Sequence, residues 1–354
     1  MTSAPTPGTP RSSDSRRTNQ RPAEPTRKRL VRRVALLVLT GVGLYVVLPS
    51  LSAVLGSWPK LATLSGVWLF VAVLSEGGSF VCSFAIQRIV LRTHGWFAVI
   101  TAGLAGNAVT NTLPGGDAAG AAVQFRMLGK AGVNADAAAG GLAASSLIGV
   151  GGLLMLPILS LPAVVGDYSR LNHTLVSAAF IGVAAFVVYI ALGAVLLETD
   201  RPPRALGRAA QWIWNKVRRP HPTLTGLEDR LLQQRNEIRA ALGREWKQIF
   251  VLVAGRLGLD YLCLLAALRA TGSEPHIWLV LFAYAAAGVI ALFPVTPGGL
   301  GIVEASLSGL LVLAGVNARS AVVATLAYRL AQYWLPTIAG AVAYALFRRR
   351  YGTT

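Results

Sequence analysis

The chain has 354 residues, 54% of them hydrophobic and only 14% charged, with a formal net charge of +18. A mean hydropathy of +0.55 is too high for a soluble domain of this length and points to a multi-span membrane protein. The basic residues cluster in the N-terminal tail, one long loop and the C-terminus, with apolar runs between them; this positive-inside pattern argues against nucleic acid as a partner.

Residues 1–33 hold nine basic residues and almost no apolar ones, so a disordered cytoplasmic tail is expected. The apolar run 34–56 follows and reads as an uncleaved first helix. Further runs long enough to span, about 20 residues, cover 65–91, 135–165, 172–197, 248–270 and 318–347. The runs 135–165 and 318–347 exceed one crossing and must tilt or kink; Pro157, Pro162 and Pro336 supply places for that. Two other apolar stretches are interrupted, 96–130 by Pro114-Gly115-Gly116 and 276–313 by Pro294 and Pro297-Gly298-Gly299. Proline removes an amide donor and glycine frees the backbone, so each stretch reads as a helical hairpin broken near its middle. Ordinary loops between full spans are the alternative. The segment 198–247 carries eleven Lys or Arg against six acids, which places it in the cytoplasm. Leu227, Leu231, Ile238 and Leu242 form a stripe there, as expected of an amphipathic connector helix. Residues 348–354 form a short basic tail.

The two Pro-Gly-Gly turns are 183 residues apart. So are two copies of one pentapeptide, Ala131-Gly132-Val133-Asn134-Ala135 and Ala314-Gly315-Val316-Asn317-Ala318. Matches in one frame indicate a duplicated unit, 65–165 and 248–347, within a first membrane half 34–197 and a second half 248–347. Counting crossings between the basic cytoplasmic segments gives the two units opposite entry faces. The expected fold is therefore an all-α polytopic membrane protein, an inverted repeat of helix–broken hairpin–helix units.

Charges inside apolar spans cost roughly 2.5–3.5 kcal/mol each on insertion scales and need a reason. The candidates are Glu76, Asp117, Arg126, Arg256, Asp260, Glu304 and Arg329. Arg256 and Asp260 are four apart on one helix face and can pair. Glu76 falls one position from the repeat equivalent of Asp260, so both units place an acid at matched depth, where it could bind a proton or a cationic headgroup. A structural ion pair and a snorkelling acid are the plainer readings of these residues. Pairing would relieve both Glu304 and Arg329; Arg329 could instead hold a lipid phosphate, which its planar fork suits. Helix starts after Gly115-Gly116 and Gly298-Gly299 would favour an anion. Asn107 and Asn111 could add donors there or simply join the arms. Cys82 and Cys263 read as packed or lipid-facing thiols, and the four histidines have no metal-ligand spacing. No catalytic constellation or cofactor motif is present in the sequence, so a transporter rather than an enzyme is expected.

Thr296-Pro297-Gly298-Gly299-Leu300-Gly301-Ile302-Val303-Glu304, Tyr328-Arg329-Leu330 and Tyr333-Trp334-Leu335-Pro336 resemble the second half of the lysylphosphatidylglycerol synthase/flippase transmembrane family. The segment from Asn107 to Arg126, with Asn111, Pro114 and Asp117, resembles the family's first motif more loosely. The resemblance covers roughly residues 34–347 and implies a protein that moves a lipid between leaflets. It implies a stand-alone flippase-like member without the aminoacyl-transferase domain, expected in a bacterial inner membrane, and the basic tails put both termini in the cytoplasm. The expected partners are the bilayer, a membrane lipid as substrate and an envelope-lipid biosynthetic enzyme. A carrier of polyprenyl-phosphate-linked sugar or a small organic anion, and a non-transporting scaffold for an envelope enzyme, are the rival readings.

Overall fold

The computed structural model describes residues 64–93, 95–113, 116–166, 227–292 and 296–352, with parts of 183–199 and the isolated positions 208 and 212. The expected tail 1–33, the run 34–56, most of 172–226, and Pro114, Gly115 and Pro294 lie outside the described residues.

Among the described residues the regular elements are helical, with no strand. In chain order they are α1 (Gly66–Val90), α2 (Trp96–Thr112), α3 (Gly116–Lys130), α4 (Ala135–Gly166), α5 (Leu227–Ala270), α6 (Ile277–Ala291), a 3-10 turn (Pro297–Gly299), α7 (Ile302–Leu313), α8 (Ala318–Arg329), a π turn (Leu330–Trp334) and α9 (Leu335–Tyr351). Among the described residues, four stretches are long and apolar enough to cross a bilayer: Gly66–Val90, Ala135–Pro157, Glu245–Ala270 and Ala318–Tyr351. The protein is an all-α polytopic membrane protein. Between the long helices lie α2, α3, α6 and α7, of 17, 15, 15 and 12 residues. Each is shorter than the roughly 20 residues needed to cross the hydrocarbon core.

Helix ends follow local chemistry. The repeated pentapeptide makes the same corner twice. Val133 N–H reaches the Leu128 carbonyl and Val316 N–H the Leu311 carbonyl, both at 3.0 Å. Gly132 and Gly315 take φ of 88° and 89°, the left-handed conformation that closes a Schellman motif. Asn134 and Asn317 then cap the next helix, accepting from Asp136 N–H at 2.8 Å and Arg319 N–H at 3.0 Å. The helix start at 135 and the start at 318 keep the 183-residue spacing, as do the ends at 130 and 313.

α5 is bent rather than straight. Glu245 leaves helical geometry (φ −117°, ψ 17°), separating the connector helix 227–244 from the apolar part that follows. The last span is interrupted at the π turn, where Leu335 N–H bonds the Leu330 carbonyl. Pro336 cannot donate to the Gln332 carbonyl and its ring would collide with it; a widened turn relieves the clash.

α1 and α5 lie side by side and run antiparallel. Ser65 N–H donates to the Ala270 carbonyl at 3.2 Å, Gly78 faces Leu259, and Gly255 faces Cys82. The hairpin arm α2 packs on α9, and its counterpart α6 packs on α4. One buried cluster joins α1, α5, α6, α7 and α8 through Ala72, Leu264, Leu268, Val280, Leu307 and Ala324. A second joins α1, α2, α3, α4 and α9 through Phe84, Val99, Leu128, Ala138 and Phe347. The outer faces remain apolar, with Val67 72% and Phe70 67% exposed, as suits a surface solvated by lipid.

Close helix contacts depend on small residues. A Cβ on Gly340 would stand 2.3 Å from the Leu104 carbonyl oxygen and 2.6 Å from Ala108 Cβ, whereas one on Gly309 would meet nothing within 4 Å. Gly340→Ala is expected to destabilise the purified protein by about 1–3 kcal/mol. Gly309→Ala should be neutral or stabilise by up to about 1 kcal/mol through helix propensity. Thermal melting in one detergent measures both.

Candidate functional site

The second broken hairpin turns on three glycines. Gly298, Gly299 and Gly301 have φ of 57°, 70° and 81°, so a side chain at any of them would be strained. A Cβ on Gly298 would also stand 2.3 Å from the Tyr333 ring. Thr296 Oγ1 closes the turn by donating to the Leu300 carbonyl at 2.9 Å. Glu304 then reaches back, and its Oε2 accepts from Gly301 N–H at 2.7 Å. The helix start that was expected to attract an external anion is thus capped by the chain's own carboxylate.

Arg329 locks this turn to the last span. It is only 4% exposed. Its Nε donates to Glu304 Oε1 at 2.8 Å, its Nη2 to the Gly298 carbonyl at 2.9 Å, and its Nη1 to Gln332 Oε1 at 3.0 Å. The guanidinium lies 4.5 Å from the Tyr333 ring centroid. Three acceptors and an aromatic face satisfy a charge that would be prohibitive alone. At the corresponding positions 183 residues earlier stand Ala121 and Ser146, so the first hairpin has no equivalent lock.

The first hairpin is tied by neutral groups. Asn111 Nδ2 donates to Asn107 Oδ1 at 3.1 Å and to Thr337 Oγ1 at 2.9 Å. Tyr333 O–H donates to the Asn111 carbonyl at 2.7 Å. Gln124 Nε2 donates to Gln87 Oε1 at 2.7 Å. Gly116 begins α3 so close to α2 that a Cβ would fall 2.2 Å from the Thr110 carbonyl oxygen.

Between the units lies a cavity of about 730 Å³, within the roughly 300–1,000 Å³ typical of ligand sites. Gly298, Gly299, Asn107, Asn111, Asp117 and Arg329 contribute to its wall, as do Glu76, Arg256 and Asp260. Gly115 lies outside the described residues. Glu304 stands behind Arg329 rather than in the wall. Arg126 is exposed and outside the cavity: α3 turns Gly120 and Gln124 inward, which sends Arg126 away.

The expected pairing of Arg256 with Asp260 does not form. Asp260 Oδ2 accepts from Tyr284 O–H at 2.5 Å, and Oδ1 from Tyr328 O–H at 2.9 Å. Two phenols fixed on α6 and α8 satisfy the carboxylate without ordering a flexible guanidinium. Arg256 lines the cavity beside Gly149 and, among the described residues, has no hydrogen bond or ion pair. Glu76 faces Asp260 across the α1–α5 contact and is 5% exposed, and its Oε2 has no hydrogen-bond partner.

Tyr284, Gln87, Gln124, Gln332 and Thr337 were not singled out from sequence, and Tyr328 stood only in the stretch that carries the family resemblance. Tyr333 was visible as the fourth residue after Arg329, the spacing that stacks side chains on one helix face. Tyr284 gave a weaker signal, a lone phenol in an apolar run, whose hydroxyl needs an acceptor once buried.

Residues 28–340 match the family described as the lysylphosphatidylglycerol synthase TM region. The chain belongs to this family. Its curated relatives include two UPF0104 membrane proteins of Methanothermobacter thermautotrophicus and one of Pyrococcus horikoshii. The first Methanothermobacter protein is 33% identical over 94 residues, which cover 27% of each chain. The second is 26% identical over 253 residues, covering 69% of this chain and 73% of its own. The Pyrococcus protein is 24% identical over 250 residues, covering 66% of this chain and 72% of its own. No solved structure matches. The family match and the four long apolar helices identify a multi-pass membrane protein.

Glu304→Gln leaves Arg329 buried without its counter-ion. Breaking a buried pair from one side costs about 3–5 kcal/mol; the Glu304 side chain is 19% exposed, which places the loss toward the lower end. The double variant Glu304→Gln with Arg329→Gln removes both charges and should recover part of that loss. A double-mutant cycle of melting temperatures measures the coupling.

Proposed function

We propose that this protein is a lipid flippase-like transporter, moving a phospholipid or a related anionic or aminoacylated lipid headgroup between leaflets. The observation that carries this reading is a polar cavity between the two units, with an uncommitted guanidinium, Arg256, in its wall. Arg256 stands near the Glu76 and Asp260 carboxyl groups without bonding to either, and a guanidinium with no hydrogen-bond partner in an apolar bundle can take an anion in the working cycle. A lipid phosphate supplies that anion, while the acyl tails remain in the bilayer. Arg329 also faces the cavity, but its three bonds assign it first to holding the Gly298-Gly299 turn.

The inverted arrangement of the two units is part of this reading. It is supported by the antiparallel contact of α1 with α5 and by the reciprocal packing of α2 on α9 and α6 on α4. Opposed units give a cavity that opens alternately to either leaflet. The exposed Arg348-Arg349-Arg350 at the end of α9 supports a cytoplasmic C-terminus. The basic residues of the N-terminal segment support the same side for it.

Protein reconstituted in vesicles with labelled phospholipids should speed headgroup transfer between leaflets. Arg256→Ala should slow it by about 10–100-fold, the range for losing a hydrogen bond to a charged group, about 1.5–3 kcal/mol. Equal transfer by the wild type and Arg256→Ala would remove the phosphate assignment. A panel including polyprenyl phosphates and small organic anions identifies the cargo class.

A further inference from the structure

The proposed phosphate contact leaves Glu76 without a task. Its carboxyl group is buried on α1, lines the cavity and faces a second carboxyl group, Asp260 on α5. The other groups around the pair are Arg256 and the Cys263 thiol on α5, the Tyr284 phenol on α6 and the Tyr328 phenol on α8.

Counting donors separates the two acids. Asp260 receives one tyrosyl O–H on each oxygen, which is the environment of an ionised acceptor. Glu76 Oε2 receives none. Two negative charges facing each other, one of them with an oxygen that has no donor, oppose each other in a poorly solvated bundle. A proton on Glu76 removes the repulsion and gives the orphan oxygen an O–H to donate toward Asp260.

We propose that Glu76 and Asp260 hold one proton between them and that this proton couples headgroup movement to a pH gradient. The coupling rests on the transport reading above; the proton site does not. Arg256 stands four residues before Asp260 on α5, so the charge of the pair acts on it directly. With the proton bound, the pair carries one negative charge and Arg256 is available to an anionic headgroup. Without it, the pair carries two and draws Arg256 toward itself. Proton and anion therefore favour each other's binding, a reciprocal linkage. The step is a transfer of H⁺ between the cavity and Glu76, with no other bond made or broken.

Infrared spectroscopy of the full chain in bilayers reads the site without transport. The wild type should show a protonated carboxylic acid C=O stretch that shifts in D₂O, and Glu76→Gln should lose it. Asp260→Asn removes the acceptor and should move the band, which keeps the test open if Glu76→Gln folds poorly. In vesicles, the ratio of lipid transfer with and without an imposed pH gradient should exceed one for the wild type and return to one in Glu76→Gln. A wild type without the acid band, or with a band that survives Glu76→Gln, overturns the proton site. An unchanged gradient ratio in Glu76→Gln overturns the coupling. If no vesicle preparation moves lipid, the transport reading fails and coupling falls with it, while the infrared result still decides the proton site.

Discussion

A fully buried guanidinium needs acceptors on every side, and the fold around Arg329 is arranged to meet that requirement. Arg329 joins three pieces of chain distant in sequence: the carbonyl of a glycine turn, the first turn of α7 and the π turn that precedes α9. Each partner is produced by a local rule. Left-handed glycines expose the Gly298 carbonyl, the capping geometry of Gly301 brings Glu304 back over the helix start, and Pro336 forces the widened turn that carries Gln332. The result is a non-helical segment whose polar backbone is covered by protein or turned to the cavity, as an apolar solvent demands.

The rest of the cavity follows from how the two units meet. Antiparallel contact of α1 and α5 places Glu76 and Asp260, acids from different units, against each other. Small residues let α2, α3 and α9 approach closely enough for Asn111, Thr337 and Tyr333 to bond directly. Packing and polar chemistry are thus not separate layers: a Cβ at Gly340 or Gly116 would open the same contacts that shape the cavity wall.

Much of this was legible in the sequence, for identifiable reasons. The repeated pentapeptide was legible as a duplication; its role as an inter-helix corner, through glycine at positive φ and an asparagine cap, needed the backbone geometry to see. The Glu304–Arg329 pair was legible because an intramembrane charge has few affordable partners. The Arg256–Asp260 pair was misread because helix spacing says which groups share a face and nothing of what the opposing helices offer. Tyr284 and Tyr328 lie 24 and 68 residues from Asp260, and no local pattern announces that they converge on it. The assignment of Arg126 failed for a related reason: apolar surroundings in the sequence do not distinguish a cavity wall from an outer surface.

The two hairpins share a plan but not a fastening. Ala121 and Ser146 occupy the places where the other unit has Glu304 and Arg329. Ion pairing holds the second turn; the first is held by amides and hydroxyls, which exchange partners at lower cost. Similar chain paths with unlike fastenings leave the neutral clasp the easier of the two to undo.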